Sequence, residues 1–107
     1  MHRYLEVYTT TDDRREAEKI AVRLVELRIA ACVQIVGPIR SIYRWKGVVE
    51  STEEWLCIVK TEDALYERIQ KTIAEMHHYE IPQLLALPVL RGSEDYLNWM
   101  REELSGT

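Results

Sequence analysis

The stretch ACVQIVGPIRSIYRWKGVVESTEEWLCIVKT, residues 31–61, decides the fold of this chain. It is rich in β-branched and aromatic residues, and Trp45-Lys46-Gly47-Val48 lies at its middle. Gly47 can take the positive φ that a tight hairpin turn needs, so the segment reads as two antiparallel strands folded on that turn. Gly37-Pro38 interrupts the first arm and predicts a bulge or kink, because proline has no N–H to give to the ladder. Each arm runs about 15 residues and, at about 3.3 Å per residue, would reach roughly 50 Å when fully extended. A compact chain of 107 residues is only roughly 33 Å across. The arms therefore fold back at Gly37-Pro38 or carry their tip beyond the body of the domain. Ile42, Tyr43, Trp45, Val48 and Val49 crowd that tip. A projecting ribbon so apolar aggregates unless other chains cover it. The expectation is an obligate homo-oligomer of closed cyclic symmetry.

On the N-terminal side, RYLEVYTT alternates as a first strand. Thr10 followed three residues later by Asp13 reads as a capping box. It opens a helix with Ala17, Ile20, Ala21, Leu24, Val25 and Ile29 at helical spacing. On the C-terminal side, Thr61 reads as the N-cap of a second helix, marked by Leu65, Ile69, Ile73 and Met76. IPQLLALPVL, residues 81–90, predicts a strand covered on both faces, with one ladder bond missing at Pro88. Ser93 caps a last helix whose apolar side carries Tyr96, Leu97, Met100 and Leu104. The order β-α-β-β-α-β-α predicts an α+β fold, a ferredoxin-like sandwich with an extra C-terminal helix, spanning residues 1–107 as one domain. Helices cover only one face of such a sheet. The other must meet water or a second surface.

Lys and Arg number 14 against 18 Asp and Glu, and the basic residues never gather into a run, which excludes a nucleic-acid partner. No apolar stretch has bilayer-spanning length, so no membrane partner is expected, and the N-terminus alternates as a strand rather than as a signal peptide. Cys32 and Cys57 stand far apart in apolar surroundings, and both read as buried, reduced thiols of a cytoplasmic protein. His2 reads as a terminal residue without a role.

The candidate site is MHHYE, residues 76–80, between the second helix and the last strand. The imidazoles of His77 and His78 suit Cu2+, Zn2+ or Ni2+, and the Glu80 carboxylate can complete the set. Adjacent helical residues point about 100° apart, so both histidines reach one ion only if the helix has already ended. A histidine at a helix C-terminus can instead bond the orphan carbonyls there. The junction thus reads as a helix end first and a weak divalent-ion site second, with no ion required for folding. A Gly-rich phosphate loop, a serine elbow and a zinc-protease helix are all missing, so no catalytic residue is assigned.

The segments LRIAACVQIV, SIYRWKGVVE, KT after a strand, HYEIPQLLALPV and DYLNWM, in this order and spacing, resemble the CutA family of divalent-cation tolerance proteins over nearly the whole chain. The resemblance implies a homotrimer with hairpins woven between subunits, similar in architecture to the PII signalling proteins. It also implies a non-catalytic role in the response to metal ions, with copper and other divalent ions as partners. The family commonly has His-Pro-Tyr-Glu at the junction, where this chain has His77-His78-Tyr79-Glu80. Some copper-associated members place a cysteine where this chain has Thr9, which is not a soft ligand. The resemblance further implies intersubunit clefts in which Lys60, Tyr79, Tyr43 and Trp45 would hold a small ligand. A PII-like ligand sensor is accordingly the alternative function.

Overall fold

The computed structural model describes residues 3–104, so His2 lies outside the described residues. The elements run β1 (Tyr4–Thr11), α1 (Arg14–Glu26), β2 (Cys32–Trp45), β3 (Val48–Glu62), α2 (Tyr66–Met76), β4 (Leu85–Pro88) and α3 (Glu94–Glu103). The strands form one antiparallel sheet in the order β2-β3-β1-β4. This is the expected α+β, ferredoxin-like topology with its additional helix.

Alternation along β1 sends Leu5, Val7 and Thr9 into the core under the helices, and the core continues through Ile20, Leu24, Ile29, Val59, Ile69 and Ile73. Met100 of α3 and Leu104, just past its end, close one end of it. In α1, Ala17, Ile20, Ala21 and Leu24 are buried as expected, but Val25 is 43% exposed. Two caps fall elsewhere than the sequence suggests. Thr10 remains in the ladder opposite Leu56, and Asp13 caps α1 by accepting the N–H groups of Arg15 and Glu16. Thr61 lies inside β3 and donates its buried hydroxyl to the Ile29 carbonyl at 2.7 Å. A single 3-10 turn, Asp63–Leu65, leads into α2 without a side-chain cap. In both cases strand pairing outlasts the local cap signal. Ser93 does cap α3, accepting the Tyr96 N–H.

The apolar run at 81–90 shortens to β4, four residues paired with Leu5–Tyr8 at the sheet edge and exposed in the protomer. An edge position tolerates Pro88. Cys57 is fully buried, and burial pushes its thiol up to about 11. Cys32 is only half-buried, against expectation, because it begins the outer strand of the sheet. Both thiols are free.

The β2–β3 hairpin stays paired to its end at Trp45 and Val48, where Lys46 and Gly47 take φ of 49° and 82°. Positive φ at both central residues is the turn whose twist suits a hairpin. Between the pairs Val36–Leu56 and Ile39–Glu54, two residues, Gly37 and Pro38, oppose Trp55 alone. That is the expected bulge. Gly37 is needed there, since a Cβ would sit 2.3 Å from Trp55 Cδ1. Pairing with β1 stops at Trp55, so the rest of the hairpin has no third strand. The protomer is consequently 45 Å long and only 25 by 22 Å across. At the tip, Ile42, Val48 and Val49 are 70%, 58% and 63% exposed. The helix-free face adds exposed Val36, Leu85 and Leu87 beside half-buried Tyr8, Leu56 and Ile58.

Candidate metal centre and adjoining cavity

α2 ends at Met76, and His77 is already extended (φ −81°, ψ 137°), so the condition for bringing the two histidines together is met. His77 is buried, with 8% exposure. Its Nδ1 accepts the Tyr79 N–H at 3.0 Å, and its Nε2 lies 2.7 Å from the Thr10 carbonyl. An amide N–H can only donate and a carbonyl can only accept, so the ring is the neutral Nε2–H tautomer with both nitrogens engaged. The carbonyl it satisfies belongs to β1, not to its own helix. His77 pins the junction to the end of that strand.

His78 is half exposed and meets two carboxylates. Its Nδ1 lies 2.8 Å from Glu16 Oε2, and its Nε2 lies 2.9 Å from Asp12 Oδ1. The His78 backbone N–H donates to Glu16 Oε1 at 3.1 Å, and the Thr11 hydroxyl donates to Glu16 Oε2 at 2.6 Å. The hydrogen bond with Glu16 and the neighbouring negative charge raise the His78 pKa above its ordinary value. Burial pushes the Glu16 carboxyl up, but the hydrogen bonds from Thr11 and His78 outweigh it and hold the group below the usual range. Ligand atoms of Glu16, His77 and His78 lie within 4.8 Å of one another.

Glu80 points elsewhere. With Thr10, Tyr43, Trp45, Glu54 and Tyr79 it lines a cavity of about 590 Å3 between the outer hairpin and the segment that follows His78. Glu54 is only 5% exposed there and accepts the Tyr79 hydroxyl at 2.7 Å. Burial and that carboxylate both raise the Tyr79 pKa, so the phenol remains a donor. Tyr43 shares a 2.8 Å hydrogen bond with Thr52 across the ladder. Lys60 is not part of this cavity. It faces a smaller hollow near Tyr96 and pairs with Glu6 at 2.6 Å. Burial lowers the Lys60 pKa, but the hydrogen bond and charge of Glu6 together outweigh it, and the net shift is upward. Thr9 is buried on the helix side opposite Cys57, and its hydroxyl has no partner among the described residues.

The two histidines therefore converge with Glu16, while Glu80 joins the aromatics. Glu16 and Asp12 escape a linear reading because 62 residues separate Glu16 from His78. The acidic first turn of α1 is a local sign of Glu16, but only the packing of the junction on β1 gives it a role.

The class these observations define is a ferredoxin-like α+β sandwich that carries a His–carboxylate cluster where α2 ends. The chain belongs to the CutA1 divalent ion tolerance protein family, whose model matches residues 5–103. It is similar to the divalent-cation tolerance protein CutA of Thermus thermophilus, 41% identical over 96 residues, covering 90% of this chain and 93% of that one. It is likewise similar to the chloroplastic protein CutA of Arabidopsis thaliana, 40% identical over 95 residues, but there 89% of this chain spans only 52% of the relative. The solved structure of the Thermus thermophilus divalent cation tolerance protein superposes with a TM-score of 0.92 at 38% identity, over 95% of this chain and 99% of that one.

Proposed function

We propose that this chain assembles as a homotrimer, binds divalent cations of the copper and zinc type, and serves the response to metal ions without catalysing a reaction. The observation that carries this reading is the convergence of Glu16, His77 and His78, with ligand atoms within 4.8 Å, at the junction that ends α2. Membership of a family described by divalent ion tolerance supports the ligand class. The exposed tip residues Ile42, Val48 and Val49, together with an apolar helix-free face, support self-assembly. Imidazole with carboxylate favours Cu2+, Zn2+ or Ni2+ over Ca2+ and Mg2+. Native mass spectrometry across a titration with Cu2+, Zn2+ and chelator tests both halves at once. A trimer taking up one ion per protomer is expected. A lone 12.6 kDa particle sinks the assembly, and a trimer that takes up no ion sinks the ligand class.

A second reading is a PII-like sensor of a small ligand in the clefts, and the 590 Å3 cavity with Tyr43, Trp45 and Tyr79 favours it. Because Glu54 and Glu80 line that cavity and Lys60 lies elsewhere, the class that fits is neutral or cationic rather than anionic. A ligand that raises the melting temperature while Cu2+ leaves it unchanged would favour this reading.

A further inference from the structure

The junction presents two histidines, but their ring nitrogens are not equally available. Both nitrogens of His77 are engaged by fixed backbone groups, the Tyr79 N–H and the Thr10 carbonyl. Ligating an ion through Nδ1 would leave the part-buried Tyr79 amide without its acceptor, a loss on the order of 1 kcal/mol. His78 has no such constraint, since its partners are side-chain carboxylates on opposite sides of the ring.

Resting on the divalent-cation reading above, we propose that the ion is held by His78 Nδ1 and Glu16 Oε2, with Asp12 gripping His78 Nε2–H from outside and His77 serving as a structural pin. The 2.8 Å between His78 Nδ1 and Glu16 Oε2 is about half an ångström short of the roughly 3.3 Å span of two tetrahedral ligands that each lie about 2.0–2.1 Å from a zinc-type ion, an opening that a small rotation of the half-exposed His78 ring provides. Asp12 at 2.9 Å from Nε2 supplies the carboxylate–histidine contact that fixes the tautomer and turns the Nδ1 lone pair toward Glu16. Glu16 is itself held ready by the Thr11 hydroxyl at 2.6 Å and the His78 amide at 3.1 Å. The ion takes the place of the proton shared between His78 and Glu16. Half-exposed His78 leaves the remaining coordination positions to water, so the site is open, exchangeable and weak. Glu80 takes no part, because it lines the neighbouring cavity.

The chain has three histidines, so the test is made on the full-length protein carrying His2→Ala, which leaves only the junction pair. Zn2+ is titrated by calorimetry while long-range 1H–15N NMR follows the imidazole nitrogens. The expected result is a zinc-dependent shift at His78 Nδ1, with His77 remaining the neutral Nε2–H tautomer. His78→Ala is expected to weaken zinc by about tenfold or more, and Asp12→Asn by about tenfold at unchanged stoichiometry. His77→Gln is expected to lower the melting temperature yet keep zinc affinity within about twofold. A zinc shift at His77, or wild-type affinity in His78→Ala, overturns this assignment and leaves the divalent-cation reading standing. A parent protein that binds no zinc overturns both. The NMR result stands on the parent protein alone, should a variant fail to fold.

Discussion

The two ends of the β2–β3 ribbon are built alike and finished differently. Near Cys57 and Val59 it lies beside β1 and under the helices, and both residues are fully buried. Beyond Trp55 it loses its third strand, and Ile42, Val48 and Val49 stand in the open although they are no less apolar. Composition does not separate the ends, but the length of β1 does. On the helix side, apolar residues within the span of β1 are covered by their own chain, while Ile42, Val48 and Val49 beyond it are left open.

The sharpest test of that contrast is to damage one end and watch the other. Leu24→Ala empties a fully buried position under the helices and is expected to cost about 2–5 kcal/mol in urea unfolding. Ile42→Asp is expected to weaken self-association by about 2 kcal/mol, a factor of about thirty, in sedimentation over a dilution series. Far-UV circular dichroism of the protomer stays as it was. If Ile42→Asp unfolds the protomer instead, the tip belongs to the protomer's own core and the contrast fails.

Smaller effects sharpen the picture within the closed half. Thr9 carries the buried hydroxyl that finds no partner among the described residues. Thr9→Val removes it at nearly constant shape and is expected to raise stability by about 1 kcal/mol in thermal or urea unfolding. A loss of that size would show that the hydroxyl is satisfied. The smallest effect belongs to the half-exposed His78. Its folded pKa is raised, so its contribution is complete below the unfolded value of about 6.5 and is lost as pH rises through the folded value. Glu16, whose folded pKa is lowered, contributes above about 4.5 and loses its effect on acidification. Comparing wild type with His78→Ala between about pH 5.5 and 9, the stability gap is expected to be a few tenths of a kcal/mol and to shrink above pH 6.5. A gap that widens with pH would contradict the arrangement.

Most of the architecture was legible because periodicity survives in one dimension. Alternation along RYLEVYTT, helical spacing from Ala17 to Leu24 and the glycine turn at Gly47 each depend on near neighbours. The caps at Thr10 and Thr61 were misplaced because ladder pairing, set by distant residues, outlasted a local signal. The strand at 81–90 was overestimated because its apolar residues meet an edge rather than a second neighbour. At the site, the histidines announced themselves by chemistry, while Glu16 and Asp12 acquire meaning only when the junction folds back on α1. Conversely, Tyr43, Trp45 and Tyr79 do come together, and Lys60, grouped with them by resemblance, lies against Glu6.

The surplus residue opposite Trp55 acts as a phase shifter for the whole ribbon. Before it, even-numbered positions of β2 share a side with even-numbered positions of β3; after it, odd-numbered β2 positions do. Tyr43 and Trp45 owe to that half-step their orientation toward Glu54. Deleting either Gly37 or Pro38 would invert the outer hairpin, bringing Arg44 to the side of Glu54 and turning the aromatic wall of Tyr43 and Trp45 out the back.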